Sequence, residues 1–165
     1  MEEKQDILTI LKDKFGTDII STDNSGDIAS ATVMSNSLFS IIEFLKDDPG
    51  AGYNFLTDIC GIHFPENKLP LGIIYHLHNL EENRRIRIKT FVPLAAPEVA
   101  TVTPLFSSAN WMERETYDFY GIIFKGHPKL IRILNVEYLD FFPMRKEYPL
   151  EDPTREDKDN RFFGR

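Results

Sequence analysis

Three consecutive runs of strand-forming residues in the middle of the chain constrain its fold more than any other feature. They span Phe55–Phe64, Leu71–Leu77 and Ile86–Val92, and each is long enough for an ordinary β-strand. The short polar segment 79–83 separates the second run from the third and is typical of a hairpin turn. The chain therefore needs a sheet at its centre, with antiparallel neighbours.

Apolar and basic side chains alternate along the third run. Since successive side chains of a strand point to opposite faces, one face carries Ile86, Ile88 and Thr90 and the other carries Arg85, Arg87 and Lys89. The first face is expected to be buried. The second is expected to meet water or another protein.

Apolar residues at helical spacing predict two helices before these strands. The first stripe is ended by Gly16, and the second helix starts near Ser35 and is ended by Pro49 and Gly50. The two stripes consist of Ile7, Leu8, Leu11 and Phe15, and of Leu38, Ile41, Ile42 and Leu45.

A third helix is predicted to end by Gly121, and two starts compete for it. Thr103 can cap the helix with Pro104 at its first position, or Asn110 and Glu113 can form a capping box. Shorter strands are predicted at Asp18–Ile20, Ile28–Met34, Ile122–Phe124 and Ile131–Leu134. We therefore predict a two-layer α+β fold: a mixed, largely antiparallel sheet with helices packed on it, followed by an extended C-terminal tail.

Composition excludes several classes of protein. The 165 residues suit one domain, and a net charge of -7 argues against a nucleic-acid binder. The single cysteine, Cys60, rules out an internal disulfide and an iron–sulfur cluster held by this chain alone, because such a cluster usually needs about four thiolates. The N-terminus has no basic start followed by an apolar stretch, so we expect no signal peptide. We expect a partner to hold the protein at any membrane where it works.

The last 21 residues differ from the rest of the chain. Segment 145–165 contains six basic and six acidic residues, and Pro149 and Pro153 discourage regular structure there. Such a segment buries too little apolar surface to order itself. We divide the chain into a folded domain, residues 1–144, and an extended charged tail, residues 145–165, that docks on a partner.

Two histidines on one strand suggest a metal site. His76 and His78 are two residues apart, so their imidazoles share a face. Zinc often uses such ligands, and His63 or Glu66 is the candidate for a third. The competing interpretation, a polar strand face beside the hairpin, is favoured.

The remaining polar clusters favour structural roles. Glu113 and Glu115 are two apart on a helix and do not face each other, whereas Arg114 and Asp118 are placed to pair. His127, between a glycine and a proline, suits a hydrogen bond to a neighbouring element better than a catalytic base. Residues 50–52 lack the remainder of a nucleotide-binding loop. The residues alone therefore reveal no active site.

One longer motif indicates a family. Residues 111–134 read WMERETYDFYGIIFKGHPKLIRIL, which resembles the signature of the C subunit of respiratory complex I, the 30 kDa subunit of NADH-quinone oxidoreductase. Family members often carry a histidine where Phe142 stands here, while the Arg145–Pro149 element is intact. The matching signature residues are Glu113, Arg114, Glu115, Tyr117, Asp118, Gly121, Phe124, Gly126, His127, Pro128, Arg132 and Leu134.

The resemblance implies a scaffold protein with no cofactor of its own. It would lie in the peripheral arm on the cytoplasmic side of the bacterial inner membrane, beside the quinone-site D subunit and the cluster-bearing B subunit. Electrons would pass from NADH through FMN and iron–sulfur clusters in these and other partners to quinone, coupled to proton translocation. The expected partner interface consists of Arg145, Lys146, Tyr148, Pro149, Phe162 and Phe163.

We further predict that one local polar network shapes the corner after the third helix, formed by Glu113, Arg114, Asp118, His127 and Arg132. Three alternatives to the scaffold role stay open. They are a homologous component of an energy-converting hydrogenase or ferredoxin-driven complex, a free-standing metalloenzyme using His76 and His78, and a binding module unrelated to respiration.

Overall fold

The computed structural model describes residues 6–148. Its main sheet has five strands in the order β1-β2-β5-β4-β3, and β6 and β7 form a separate parallel pair. The strands are β1 (Ile19–Asp23), β2 (Ala29–Val33), β3 (Phe55–His63), β4 (Leu71–Asn79), β5 (Arg84–Val92), β6 (Glu98–Ala100) and β7 (Ile123–Lys125). The helices are α1 (Ile7–Phe15), α2 (Leu38–Asp47) and α3 (Ala109–Tyr120), with a 3₁₀ turn at Gly16–Asp18.

The sheet confirms the predicted fold class. Strands β3, β4 and β5 form an antiparallel meander, and β1 pairs antiparallel with β2. The parallel pair is β2 with β5, which makes the sheet mixed. The segment between those two strands contains α2, β3 and β4, so the chain has enough length to return in the parallel direction.

The core forms where the helical stripes meet the apolar face of the sheet. Ile73, Tyr75 and Leu77 of β4 and Ile86 and Ile88 of β5 are all buried, as the alternation predicts. The predicted stripe of α2, Leu38, Ile41, Ile42 and Leu45, has no exposed surface. Gly16 ends α1 with φ 51, a left-handed conformation that glycine adopts readily.

Three local predictions are wrong. Helix α3 begins at Ala109, and its N-cap residue makes no side-chain hydrogen bond, so neither predicted start is correct. The third error is the strand at Ile131–Leu134, which is an irregular segment. Backbone N–H groups there bind a side chain of α3 instead of another strand. The short strand β6 was not predicted, because three residues carry too little periodicity.

Helix α3 lies against β3, the edge strand of the main sheet. Gly61 of β3 permits this approach, since a Cβ atom at that position would overlap the ring of Tyr120 at the end of α3. The helix therefore packs closely on this edge strand. Within residues 6–148, the helices are all too short or too polar to cross a membrane.

Candidate functional site

The candidate site is α3 together with residues 126–145, which we call the signature loop. The loop follows β7 and contains no helix or strand over its 20 residues. Irregular segments of that length are uncommon in compact domains and are usually functional. Side-chain contacts with α3 give this loop its defined shape.

The carboxylate of Asp118 organises the loop. Its side chain has no exposed surface, and Oδ2 accepts the backbone N–H groups of Ile133, Leu134 and Asn135 at 3.1, 2.8 and 2.9 Å. Oδ1 accepts from the Asn135 side chain at 3.1 Å and from the Arg132 guanidinium at 2.8 Å. Burial alone would raise the pKa of Asp118, but these donors together lower it well below its usual value.

Arg132 binds further backbone groups of α3 and of the loop. Its guanidinium also donates to the carbonyls of Asp118, Leu139 and Phe141, at 2.9, 2.7 and 3.0 Å. The side chain is only 8% exposed. One charged group therefore holds residues 132–141 of the loop together and against α3.

Phe142 fills the space between two guanidinium groups. Those of Arg132 and Arg145 lie 5.1 and 4.6 Å from its ring centroid, within range of cation–π attraction. The ring also sits where a Cβ atom on Gly121 would be, and Gly121 has φ 73. Tyr117 packs edge-on against the ring with the centroids 6.2 Å apart. The aromatic residue that departs from the family pattern is thus a packing element of the loop.

Arg114 makes a further connection between α3 and the loop. It donates to the carbonyls of Ile131 and Arg132, both at 3.2 Å, and its guanidinium stacks 5.1 Å from the Trp111 ring. Between the described side chains of Arg114 and Asp118 there is no ion pair, so the predicted pairing is wrong. Arg132 approaches Asp118 from the loop and takes that place.

His127 bonds on both sides of its ring. Nδ1 accepts the backbone N–H of Lys129 at 3.0 Å, which leaves Nε2 to donate to the carbonyl of Asn110 at 3.1 Å. Its neighbour Gly126 has φ 84, a conformation that favours glycine in this turn, and Pro128 is exposed. The predicted hydrogen-bonding role of His127 is the one the geometry shows.

The predicted five-residue network forms only in part, because His127 bonds to Asn110 and Lys129 and not to another member. Glu113 does not belong to it either. Its carboxylate is buried on the other side of α3, where it accepts the Thr101 hydroxyl and the backbone N–H of Val102, the latter at 2.7 Å. Burial raises the pKa of Glu113 to about 7, although both hydrogen bonds act in the opposite direction. The helix therefore carries two buried carboxyl groups whose pKa values shift in opposite directions.

The outer surface of the site exposes several large apolar side chains, next to charged ones such as Glu137 and Asp140. Leu134 is 66% exposed, Tyr138 is 87% exposed, and Val136 and Trp111 are also exposed. Exposed apolar patches often mark surfaces that contact another protein. Of the other signature residues, Phe124 is in the core and Glu115 faces solvent.

Three of the predicted partner-interface residues can be placed. Arg145 donates to the carbonyl of Tyr120 at 2.8 Å, and its side chain is largely covered by the domain. Lys146 and Tyr148 are exposed, although the backbone N–H of Lys146 binds Nδ1 of His63 at 2.9 Å. Pro149, Phe162 and Phe163 lie outside the described residues, as does the rest of segment 149–165.

The predicted metal ligands do not converge. His76 and His78 share a face of β4, but the ring of His78 contacts Asn83 at 3.1 Å, while His63 is bonded to the backbone of Lys146. Within residues 6–148, one set of three ligand-type side chains does come together: Asp58, Cys60 and His76. Sequence reasoning missed the first two, and the signal that could have found them is their i, i+2 spacing on the neighbouring strand.

Comparisons with known proteins agree on one family. Residues 31–154 match the family model described as the respiratory-chain NADH dehydrogenase 30 kDa subunit. The C subunit of NADH-quinone oxidoreductase from Methylobacterium sp. (strain 4-46) is 38% identical over 140 residues, which cover 85% of this chain and 65% of that protein. The corresponding protein of Citrifermentans bemidjiense is 35% identical over 157 residues, with 94% and 96% of the two chains covered. This chain thus spans about two thirds of one relative and nearly all of the other.

Solved structures share the fold. The trypsin-resistant fragment of Nqo5 superposes with a TM-score of 0.66 at 27% identity, covering 75% of this chain and 98% of the fragment. A chain of the membrane-bound sulfane sulfur reductase, an archaeal respiratory membrane complex, gives a TM-score of 0.72 at 20% identity and covers 93% of this chain and 95% of its own. The second likeness is one of fold alone.

Asp118, the side chains of Arg132 and Asn135, and the backbone N–H groups that Asp118 binds form what we call the Asp118 cluster. We predict that a small change at Asp118 lowers the stability of the protein strongly. Asp118→Asn keeps the shape but removes the charge that pairs with Arg132, and breaking a buried pair costs about 3 kcal/mol or more. Urea unfolding at pH 7 should show this loss. Asp140→Asn, an exposed change in the same loop, should stay within about 0.5 kcal/mol of the parent. Equal stability of the two variants would contradict the assigned role of Asp118.

Glu113 predicts a pH dependence. Because its folded pKa lies near 7 and its unfolded pKa near 4.5, the folded state binds more protons between these values, and stability falls as pH rises through that window. Across this whole pH window, the contribution of Glu113 to the free energy of unfolding falls by about 3 kcal/mol. The unfolding free energy of Glu113→Gln, minus that of the parent, should increase from pH 4.5 to 7 and then level off. Glu115→Gln, at an exposed position, should show no such trend. A difference in unfolding free energy that does not change with pH for Glu113→Gln would refute the raised pKa of Glu113.

Proposed function

Because the chain belongs to the family of the 30 kDa subunit of respiratory-chain NADH dehydrogenase, we propose that it is a scaffold component of a proton-translocating NADH:quinone oxidoreductase. Its role there is to position other subunits. Electrons pass from NADH through FMN and iron–sulfur clusters in those subunits to quinone, and this chain contributes no redox centre.

The observation that supports this proposal is the construction of the signature loop. Charged groups that are almost completely buried, Asp118 and Arg132, fix a loop whose own outward side chains, Leu134 and Tyr138, are apolar and exposed. A loop with a defined shape loses little conformational freedom when a partner binds, so it retains more of the contact energy as affinity. Such a surface suits a permanent neighbour in an assembly.

The partners we propose are the quinone-site D subunit and the cluster-bearing B subunit, as the signature resemblance implies. In this arrangement the complex lies at the cytoplasmic side of the bacterial inner membrane, and this chain reaches the membrane only through its neighbours. By positioning these two partners against each other, the chain keeps the last cluster and the quinone within electron-transfer distance.

A related machine is the second candidate. The same fold occurs in a chain of the archaeal sulfane sulfur reductase complex, so an assembly that takes electrons from ferredoxin or hydrogen needs its own test. Activity assays with NADH, reduced ferredoxin and hydrogen on one purified assembly separate the candidates, because the donors enter through different subunits.

A pair of matched variants tests the signature loop as an interface. Leu134→Asp places a charge on the proposed contact surface, while Leu80→Asp makes the same change at a similarly exposed leucine in the β4–β5 turn; the two leucines are 66% and 56% exposed. Tagged chains are recovered from detergent-solubilised native membranes, and the co-purified proteins are quantified by mass spectrometry. We expect Leu134→Asp to lower their recovery and the NADH:quinone activity at least about tenfold, with Leu80→Asp unchanged. Equal recovery with both variants would contradict this interface.

The C-terminal segment provides a second test. We propose that residues 145–165 pack on the quinone-site D subunit, with Phe162 and Phe163 as apolar anchors. A chain ending at Tyr148 keeps every contact of the Asp118 cluster, so its urea unfolding should match the parent. Its recovery of the quinone-site partner should fall, and the double substitution Phe162→Ser, Phe163→Ser in the full-length chain should reproduce most of that fall. Undiminished recovery by either variant would rule out docking through this segment.

A further inference from the structure

Three side chains with different ligand atoms converge on the outer face of β3 and β4. Asp58, Cys60 and His76 each place one ligand atom within 4.8 Å of the other two. Asp58 and Cys60 are two residues apart on β3, so they point to the same face, and Asp58 pairs directly with His76 in the register.

An irregularity in β3 creates this convergence. Leu56 pairs with Leu77 and the next paired residue is Asp58, opposite His76, so Thr57 is an extra residue in the ladder. Bulges of this kind redirect side chains. If the pairing continued from Leu56 without a register shift, Thr57 would pair with His76 in place of Asp58.

The three ligand types are those that zinc prefers. Zinc binds thiolate sulfur, imidazole nitrogen and carboxylate oxygen at about 2.0–2.3 Å, usually in a tetrahedron. The ligand atoms of such a tetrahedron are roughly 3.3–3.8 Å apart by the same bond lengths. Atoms that already lie within 4.8 Å of one another reach this spacing by small side-chain rotations.

The surroundings leave room for a fourth ligand. Asp58 and Cys60 line a pocket of about 330 Å³ between β3 and α3, which Glu115 and Tyr120 also line. The pocket opens to solvent. Water can therefore complete the coordination of an ion bound to the three side chains.

One neighbour opposes cation binding. Arg87 of β5 donates its Nε–H to Nε2 of His76 at 2.9 Å, so the neutral ring carries its proton on Nδ1, which faces Asp58 at 4.0 Å. Burial and then the charge of Arg87 lower the pKa of His76, which keeps the ring neutral. Burial also raises the pKa of the Cys60 thiol, so metal binding must displace its proton.

We propose that Asp58, Cys60 and His76 form a zinc site, with water from the adjoining pocket as the fourth ligand. The ion binds Nδ1 of His76, the Cys60 thiolate and the Asp58 carboxylate, and two protons leave: one from the thiol and one from Nδ1. The ring then takes a proton on Nε2, so Arg87 moves away from it, and the net release is one proton for each ion. The site connects the edge strand β3 to β4 beside α3 and is independent of the scaffold role.

Metal titration of the full-length chain tests the site. Cobalt(II) replaces zinc as the probe, because its bond to a thiolate gives a charge-transfer absorption in the near ultraviolet, and zinc should then displace it. We expect one ion per chain and this absorption. Cys60→Ser and His76→Gln should each weaken binding at least about tenfold. His78→Gln is the matched control on the same face of β4 and should leave affinity unchanged.

A second variant separates this site from adventitious binding. Arg87→Gln removes the positive charge that repels the ion and weakens the donor that occupies Nε2 of His76, so it should bind zinc more tightly than the parent. Affinity should also fall between pH 8 and pH 6, because a proton is released. No cobalt–thiolate absorption, unchanged affinity in Cys60→Ser, or weaker binding in Arg87→Gln would each overturn the proposal.

Discussion

The structure of the C-terminal half depends on one buried carboxylate. Asp118 has no exposed surface and accepts hydrogen bonds from three consecutive backbone N–H groups and two side chains. A buried charge is costly unless it is paired and fully hydrogen-bonded, so the signature loop must run past α3 in a way that supplies these donors. Arg132 supplies the positive charge and then binds the carbonyls near the end of the loop. The loop obtains a definite shape without a helix or a strand.

The two buried carboxyl groups of α3 show how surroundings decide the role of a residue. Asp118 meets many donors and a guanidinium, which favour its charged form and lower its pKa. Glu113 meets two donors and no cation at hydrogen-bond distance among the described residues, and burial raises its pKa to about 7. Glu113 connects α3 to the segment before it, and Asp118 connects α3 to the segment after it. Two sides of the helix thereby contact the domain, and the exposed apolar groups left for a partner are Trp111 of α3 and those of the loop.

Periodicity predicted the parts of the fold that rest on local pattern: the buried stripe of α2, the alternation along β5 and the end of α1 at Gly16. Local pattern could not predict the shape of the loop, because its contacts join side chains to backbone groups 14 to 17 residues away. The apolar residues of Ile131–Leu134 predicted a strand, because the long-range contacts that shape this segment leave no local pattern. The i, i+2 spacing of Asp58 and Cys60 indicates one shared face, but their position beside His76 depends on an extra residue in the strand ladder, which neither periodicity nor propensity reveals. The family itself was recognisable from the motif at residues 111–134, which contains Asp118, Gly121 and Arg132.

The central claim is that the signature loop presents a surface to another protein of the assembly. Site-specific photo-cross-linking in native membranes tests this most directly, with the photoreactive residue at position 138, where the tyrosine is 87% exposed, and a control at position 80. We predict that position 138 cross-links to a component of an NADH:quinone oxidoreductase and that position 80 does not give the same product. Absence of a cross-link from position 138 in membranes that contain the assembled complex, or the same product from both positions, would contradict it.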